Sequence, residues 1–342
     1  MSFRSDFLGP AYQHLTHARA ADFEAAALRL FRHQARYCPP YRAYLAALGR
    51  GSAAGVAEVN QLTDIPFLPI EFFKTHDVRT DPADWQPQET FRSSGTTLAQ
   101  RSRHLVRDPA LYRANAAAIF EATYGPLAGW TVLGLLPSYL EQGDSSLVAM
   151  VADFAQRSGQ AQPAFFLRDH AGLLRALAEA KAQPARRVLL FGVTYALLDL
   201  AAEVGPAPEL QGITVLETGG MKGRRRELIR EELHEELQAA FGPAPIHSEY
   251  GMTELLSQAY SPGHGRFYCP PQLRVLLRDP ADPFSVSAER PDGAINVIDL
   301  ANVDSCAFIE TKDLARRHAD DGSFEVLGRL DNSDVRGCSQ LS

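Results

Sequence analysis

Ser93, Ser94, Gly95, Thr96 and Thr97 crowd hydroxyls around a single glycine. A loop of that composition can aim hydroxyls and backbone N–H groups at phosphate oxygens. Arg101 and Arg103 bring positive charge just after it. It is not a Walker A sequence, which requires G-x-x-x-x-G-K-[ST]. Taken alone it reads as a solvated Ser/Thr turn, and His104 beside it as a packing histidine. Two later stretches carry more. "LETGGMKG" (216–223) offers Thr218, the pair Gly219-Gly220 on whose bare backbone an adenine can lie, and Lys222. That lysine serves equally as a phosphate contact or as a solvated surface residue. "HSEYGMTELLSQ" (247–258) offers the aromatic face of Tyr250, the hydroxyl of Thr253 for a phosphate, and Glu254 as a hard oxygen ligand for Mg2+. Near the end of the sequence stands Cys338, in "SDVRGCS", where Arg336 favours the thiolate and Asp334 opposes it.

These residues need a frame. "WTVLGLLP", "PAFFL", "RVLLFGV" and "ITVLETGG" read as buried strands. They alternate with helical "SSLVAMVADFAQRSG", "AGLLRALAEAKA" and "YALLDLAAEVG", followed by the charged amphipathic "RRRELIREELHEELQAAFG" closing at Gly242. The alternation predicts a parallel sheet with helices on its faces. In such sheets ligands bind beyond the carboxyl ends of the strands, where both candidate stretches fall. Upstream, residues 20–48 predict helix broken at Pro39-Pro40. "DIPFLPIEFFKTHDV" (64–78) predicts an extended segment packed on a core. After residue 250, "QLRVLLRDP", "AINVIDL", "CAFIETKDL" and "FEVLGRL" predict short strands of a smaller β-rich subdomain, a meander or distorted barrel.

A length of 342 residues exceeds the roughly 250–300 at which one core stops growing, so two packed subdomains or one elaborated α/β domain are expected. The formal net charge of −7 argues against a generic nucleic-acid binder. No apolar run of about 18 residues predicts a membrane span, and "MSFRSDFLGPAYQHL" lacks a secretory apolar core. Cys38, Cys269, Cys306 and Cys338 form no CxxC pair, which argues against zinc and a disulfide framework. The expectation is a cytoplasmic protein with reduced thiols.

"SSGTT", "EYGMTE", "ETKD" (310–313) and "GRLDNSD" (328–334), in that order, resemble the core motifs of the adenylate-forming ligases. Those enzymes join a carboxylate to ATP, release pyrophosphate and leave an acyl-adenylate. "IPFLPIEFFKTH" (65–76), "LPSYLEQGDSSLVAM" (136–150), "ETGGMKGRRREL" (217–228), "HSEYGMTELLSQAYS" and "SDVRGCS" together resemble, more narrowly, the acyl-protein synthetases. These are the fatty-acid-activating arm of the bacterial bioluminescence reductase complex.

The resemblance implies an α/β fold of the large N-terminal domain type, with parallel sheets flanked by helices and a smaller β-rich subdomain. The core would span 1–260, the β-rich part 261–330 and the tail 331–342. It implies that Ser93, Ser94, Gly95, Thr96 and Thr97 cradle the ATP phosphates, and that Thr218, Gly219 and Gly220 lie against the adenine. Tyr250, Gly251 and Met252 would line the base and acyl group, Thr253 would contact phosphate, and Glu254 would hold Mg2+. Asp313 would bind the ribose, Arg329 the ribose or α-phosphate, and Cys338 would accept the acyl group. Two departures stand out. The phosphate loop runs Leu98-Ala99-Gln100-Arg101 where the family has Gly and then Lys. The mobile C-terminal domain that supplies a catalytic lysine is expected to be absent, leaving Lys222, Arg101 and Arg329 as candidate replacements.

The implied chemistry suits these residue types. A carboxylate is a poor electrophile until its oxygen is part of AMP, and its approach to ATP sets anion against anion. Mg2+ and hydrogen-bond donors must screen that repulsion. The attacking group is already ionised, so no Ser-His-Asp set is required. A thiol then collects the acyl group and passes it to a reductase-type or acyltransferase partner, within a homo-oligomer or multisubunit complex. Coenzyme A, a carrier protein or an amine are alternative acceptors, and a non-catalytic nucleotide-binding scaffold is the alternative of another class.

Overall fold

Apolar side chains on both faces of four segments specify the strands of a covered parallel sheet. Trp130–Leu135, Arg187–Val193, Thr214–Thr218 and His247–Tyr250 pair in parallel in that order. Ala259–Ser261 closes one edge, antiparallel to His247–Tyr250. The structure, a computed structural model, describes residues 2–16, 22–94, 101–137, 143–161, 164–219 and 228–330.

At the opposite edge the expected "PAFFL" strand is reduced to one parallel bridge, Gly134 with Phe165. Gly134 N–H donates to Ala164 O at 2.5 Å and Phe166 N–H to Gly134 O at 2.9 Å. One turn of the ladder further, a side chain takes over. Gln160 Oε1 accepts from Val132 N–H at 2.6 Å, and its Nε2 donates to Val132 O at 2.9 Å. An amide side chain thus satisfies the edge where a neighbouring peptide would, and a longer strand has nothing left to pair with. The chain leaves Trp130–Leu135 towards this edge and returns on the other side to Arg187–Val193. A reversal of that kind opens a crevice beyond the carboxyl ends of the strands.

The helices start where the sequence provides caps. Ser145 accepts from Val148 N–H to begin Ser146–Ser158, and Asp108 accepts from Ala110 and Leu111 N–H ahead of Pro109–Tyr124. These two helices meet through Phe154 and Phe120, ring centroids 4.9 Å apart. Thr194–Val204 packs on Arg230–Phe241, which ends at Gly242 with φ +106°, a conformation open to glycine.

The chain divides into two compact units. The sheet just described belongs to the unit formed by 89–103 and 108–267. The other comprises 1–88, 104–107 and the chain from 268 on. Its centre is an antiparallel meander of Leu273–Arg278, Asp292–Asp299, Phe308–Arg317 and Phe324–Arg329. Val286–Ser287 extends one edge. On the other, Leu68–Pro69 of the proline-rich segment pairs in parallel with the start of Phe308–Arg317.

Helix Phe23–Tyr37 stops at Cys38, and Pro39-Pro40 occupy the first turn of Pro39–Ala47, where a missing N–H costs nothing. Gln34, fully buried, donates to Asn302 O at 2.7 Å and accepts from Ala307 N–H at 2.9 Å, tying this helix to the turn before Phe308. Phe31 and Tyr41 pack against Phe308. Among the described residues no helix is long and apolar enough to cross a membrane.

Candidate functional site

The register of the two central strands pairs Glu217 with Ser248 and Thr218 with Glu249, one pair on each face of the sheet. Glu217 is 2% exposed. Arg230, opening its helix, places Nη1 2.6 Å from Glu217 Oε1 and 3.0 Å from Ser248 Oγ. His234 Nε2 lies 3.8 Å from the same Glu217 oxygen. Burial by itself pushes the Glu217 carboxyl up, but His234, Arg230 and Ser248 outweigh it and hold the group below the ordinary carboxylate value. Thr194 Oγ1 reaches Glu217 Oε2 at 2.9 Å and the Gly219 carbonyl at 2.9 Å. Its single proton serves one acceptor at a time. Gly219 has φ +78°, the left-handed region that a glycine enters without strain.

On the opposite face Thr218 Oγ1 donates to Glu249 Oε2. The other carboxyl oxygen folds over Gly251 so closely that a Cβ there would stand 2.1 Å from it. Burial pushes the Glu249 carboxyl up to about 7; the Thr218 hydrogen bond opposes this and the charge of Glu217 adds to it. Tyr112, Tyr124 and Tyr260 each respond to burial first and to Glu249 second, and all three phenols are pushed up.

Beyond the strand, Tyr250 packs edge-on against Phe267 at 6.0 Å, and the Arg230 guanidinium lies over that ring at 5.0 Å. Tyr250 is 8% exposed, so most of the ring is packed rather than free. Gly251 is exposed, Met252 and Thr253 are half-buried, and Glu254 is buried. A turn from Met252 O to Leu255 N–H at 3.1 Å shapes the segment. Asn115 of helix Pro109–Tyr124 then holds it, donating to Leu256 O and Ser257 Oγ at 2.9 Å each.

Ser93 and Ser102 flank the Ser/Thr-rich segment. Ser93 N–H donates to Ser102 O at 3.1 Å, and Ser93 Oγ accepts from Ser102 N–H at 3.0 Å. Arg101 donates to the Ser93 carbonyl, and its two terminal nitrogens bind both carboxylate oxygens of Asp144 at 3.2 and 2.7 Å. Arg92 N–H donates to Asp144 O at 2.8 Å. Asp144 stands just ahead of helix Ser146–Ser158, so the base of the loop is fastened to the start of that helix. Arg101, a candidate for phosphate contact, has its charge matched by Asp144.

In the other unit, cross-strand partners Asp313 and Arg329 meet, with Arg329 Nε 3.3 Å from Asp313 Oδ1. Arg329 is largely exposed and Asp313 largely buried. Lys312 pairs with Glu71 at 2.5 Å. Arg278, buried, donates to Ile295 O at 2.8 Å and Thr311 O at 2.6 Å and lies 3.3 Å from Glu310. Gly95, Thr96, Thr97, Gly220, Lys222 and Cys338 lie outside the described residues. Of the other thiols, Cys38 and Cys306 are buried and Cys269 is exposed. Burial pushes Cys38 up to about 12 and Cys306 well above its ordinary value, which suppresses the thiolate. His104 is buried with its ring edge against Phe73, as expected of a packing histidine.

Sequence reading passed over Glu217, Glu249, Thr194, Arg230 and Asp144. A signal existed for two of them: a glutamate inside an apolar strand, as in "TVLET" and "HSEY", is anomalous unless something receives it. Among the described residues no group of three or more His, Cys, Asp or Glu side chains is placed to hold a metal ion.

No family model matches the chain, and no curated protein matches it. Solved structures do. An ATP-bound RpMatB–BxBclM chimera is 16% identical with a TM-score of 0.50, covering 70% of this chain and 47% of that one. The o-succinylbenzoate CoA synthetase MenE from Bacillus subtilis, in complex with the acyl-adenylate intermediate OSB-AMP, is 16% identical at 0.48, covering 70% and 62%. The long-chain-fatty-acid–CoA ligase FadD1 from Archaeoglobus fulgidus is 13% identical at 0.49, covering 73% and 53%. The chain thus spans about half to three-fifths of the length of these structures. What the ATP-bound chimera has in common with it is architecture: the chain has the α/β fold of the large N-terminal domain of the adenylate-forming enzymes.

Proposed function

We propose that this protein activates a carboxylic acid, of the fatty-acid class, with ATP, forming an acyl-adenylate and pyrophosphate, and then transfers the acyl group to the thiol of Cys338. The observation that carries the proposal is the joint placement of Thr218-Gly219 and of Tyr250 to Glu254 at the carboxyl ends of neighbouring parallel strands, in a fold matching an ATP-bound structure. Gly219 and Gly251 expose backbone for a base to approach. Thr253 and the Ser93–Ser94 arm supply hydroxyls for phosphate, Met252 lies beside the acyl group, and Asp313 with Arg329 is suited to the ribose hydroxyls and a phosphate.

Mg2+ suits the donor set at Glu254. That ion takes one or two carboxylates and fills its remaining positions with phosphate oxygens and water, so a dedicated protein cluster is not required. Bound there, it would screen the charge between the carboxylate and the triphosphate. In the second half-reaction the Cys338 sulfur bonds to the acyl carbon, the carbonyl carbon–oxygen bond to phosphate breaks, and AMP leaves with that oxygen. The thiol proton goes to solvent, and the resulting thioester is ready for a reductase-type partner.

Two measurements test this. Exchange of labelled pyrophosphate into ATP over a panel of acids should be acid-dependent and strongest for aliphatic chains. ATP binding without exchange for any acid would reject the activity. Intact-mass analysis after incubation with ATP, Mg2+ and the best acid should show one acyl adduct on the wild type and on Cys269→Ala, and none on Cys338→Ala. An equal adduct on Cys338→Ala would reject the acceptor.

A further inference from the structure

The carboxyl of Glu249 has no role in that scheme, yet it stands where two strand ends meet. One oxygen receives the hydroxyl of Thr218 from the neighbouring strand, and the other covers Gly251 in its own chain, 2.1 Å from where a Cβ would be. Thr218 leads directly into Gly219, and Glu249 into Tyr250 and Gly251. A single carboxyl therefore joins the roots of both turns assigned to the nucleotide. We propose that Glu249 is a positioning residue of the ATP site: as a neutral acid it keeps the two turns in register for the nucleotide, and on ionising it excludes ATP. The inference rests on the reading of that site as an ATP site.

The surroundings supply the reason. Helix Pro109–Tyr124 presents Tyr112 and Tyr124 to Glu249, strand Ala259–Ser261 presents Tyr260, and strand Thr214–Thr218 presents Thr218, with the charge of Glu217 felt from the other face. None of these is a cation, and His247, on the same face two residues earlier and 3.2 Å from the Tyr124 hydroxyl, is held below its ordinary value by burial and by His234, which favours its neutral form. Glu217, on the other face, keeps its charge because His234 and Arg230 are there to meet it. Among the described residues, an ionised Glu249 would be an uncompensated charge in a buried setting, directly beneath the strand ends that receive a polyanion. Like charges repel most strongly where water cannot screen them. Burial pushes the carboxyl up to about 7, so a modest change of pH on either side shifts its state.

Calorimetric titration with ATP and Mg2+ across pH tests the idea. If only the neutral form admits ATP, Kd should be about thirtyfold weaker at about pH 8.5 than at about pH 6, as the competent fraction falls. Glu249→Gln retains the shape and cannot ionise, so its Kd should stay flat relative to the wild type; ionisation of ATP itself is common to both. Equal pH dependence in the two proteins overturns the inference and leaves the ATP site standing. No binding to either at any pH overturns both. Should Glu249→Gln not fold, wild-type titrations at about pH 8 in buffers of different ionisation heat should show uptake approaching one proton per ATP, by the same linkage. No uptake overturns the inference.

Discussion

Glu217 carries a negative charge through the interior of a sheet, and Arg230 makes that possible. Replacing Arg230 with Met removes the guanidinium and leaves the buried carboxylate to His234, 3.8 Å away, and breaking a buried pair of this kind costs up to about 3–5 kcal/mol. Urea denaturation at neutral pH should show the loss, and Glu217→Gln in the same background should restore part of it. The pH dependence has a definite sign. The Glu217 carboxyl titrates lower in the folded than in the unfolded chain, so its contribution is present above the ordinary carboxylate value of 4.5 and is lost as pH falls below it. Arg230→Met should therefore flatten the acid limb of the stability profile. At this scale the site was partly legible. Thr218, Gly219, Thr253 and Glu254 stand out in the sequence because their side-chain chemistry, or lack of a side chain, suits a ligand, and the strands that lead into them are neighbours in the sheet. Glu217 and Glu249 escaped because their partners, Arg230 and Thr218, come from elements brought together only by the sheet register.

At the scale of elements, the turn after His247–Tyr250 is shaped by a missing side chain. Gly251→Ala would drive its methyl into the Glu249 carboxyl, and overpacking of this sort costs about 1–3 kcal/mol. Combining it with Glu249→Ala removes the obstacle, so chemical denaturation of the four proteins should reveal strong non-additivity. An additive result would mean that the turn moves as a whole rather than the carboxyl yielding. The elements themselves were largely readable. Ser145, Gly242 and Pro39-Pro40 mark their boundaries through hydrogen bonds and a fixed φ, which act locally. "PAFFL" was misleading because the strand edge beyond its one bridge is occupied at Val132 by the Gln160 amide. Nothing local announces that Leu68–Pro69 pairs with Ile309-Glu310, since that choice is made by tertiary structure.

At the scale of the whole molecule, residues 89–267 carry the complete parallel sheet and its helices, within the roughly 50–250 residues of an autonomous domain. Expressed alone, this fragment should unfold cooperatively, with amides of Arg187–Val193 and Thr214–Thr218 exchanging slowest with solvent deuterium. Rapid exchange throughout would show that its order depends on the remaining chain. The other unit has a different history, because it is assembled from the two extremities of the sequence. Gln34 bonds to a carbonyl 268 residues later, and Leu68 waits for Ile309. At translation rates of about 5–20 residues per second, the early helices leave the ribosome on the order of tens of seconds before their partners exist. Throughout that interval Phe31 and Tyr41 lack Phe308, against which both pack in the finished fold. Recovery of intact protein from a cell should therefore track the supply of chaperones that hold nascent chains, more closely than it tracks the stability of the finished fold.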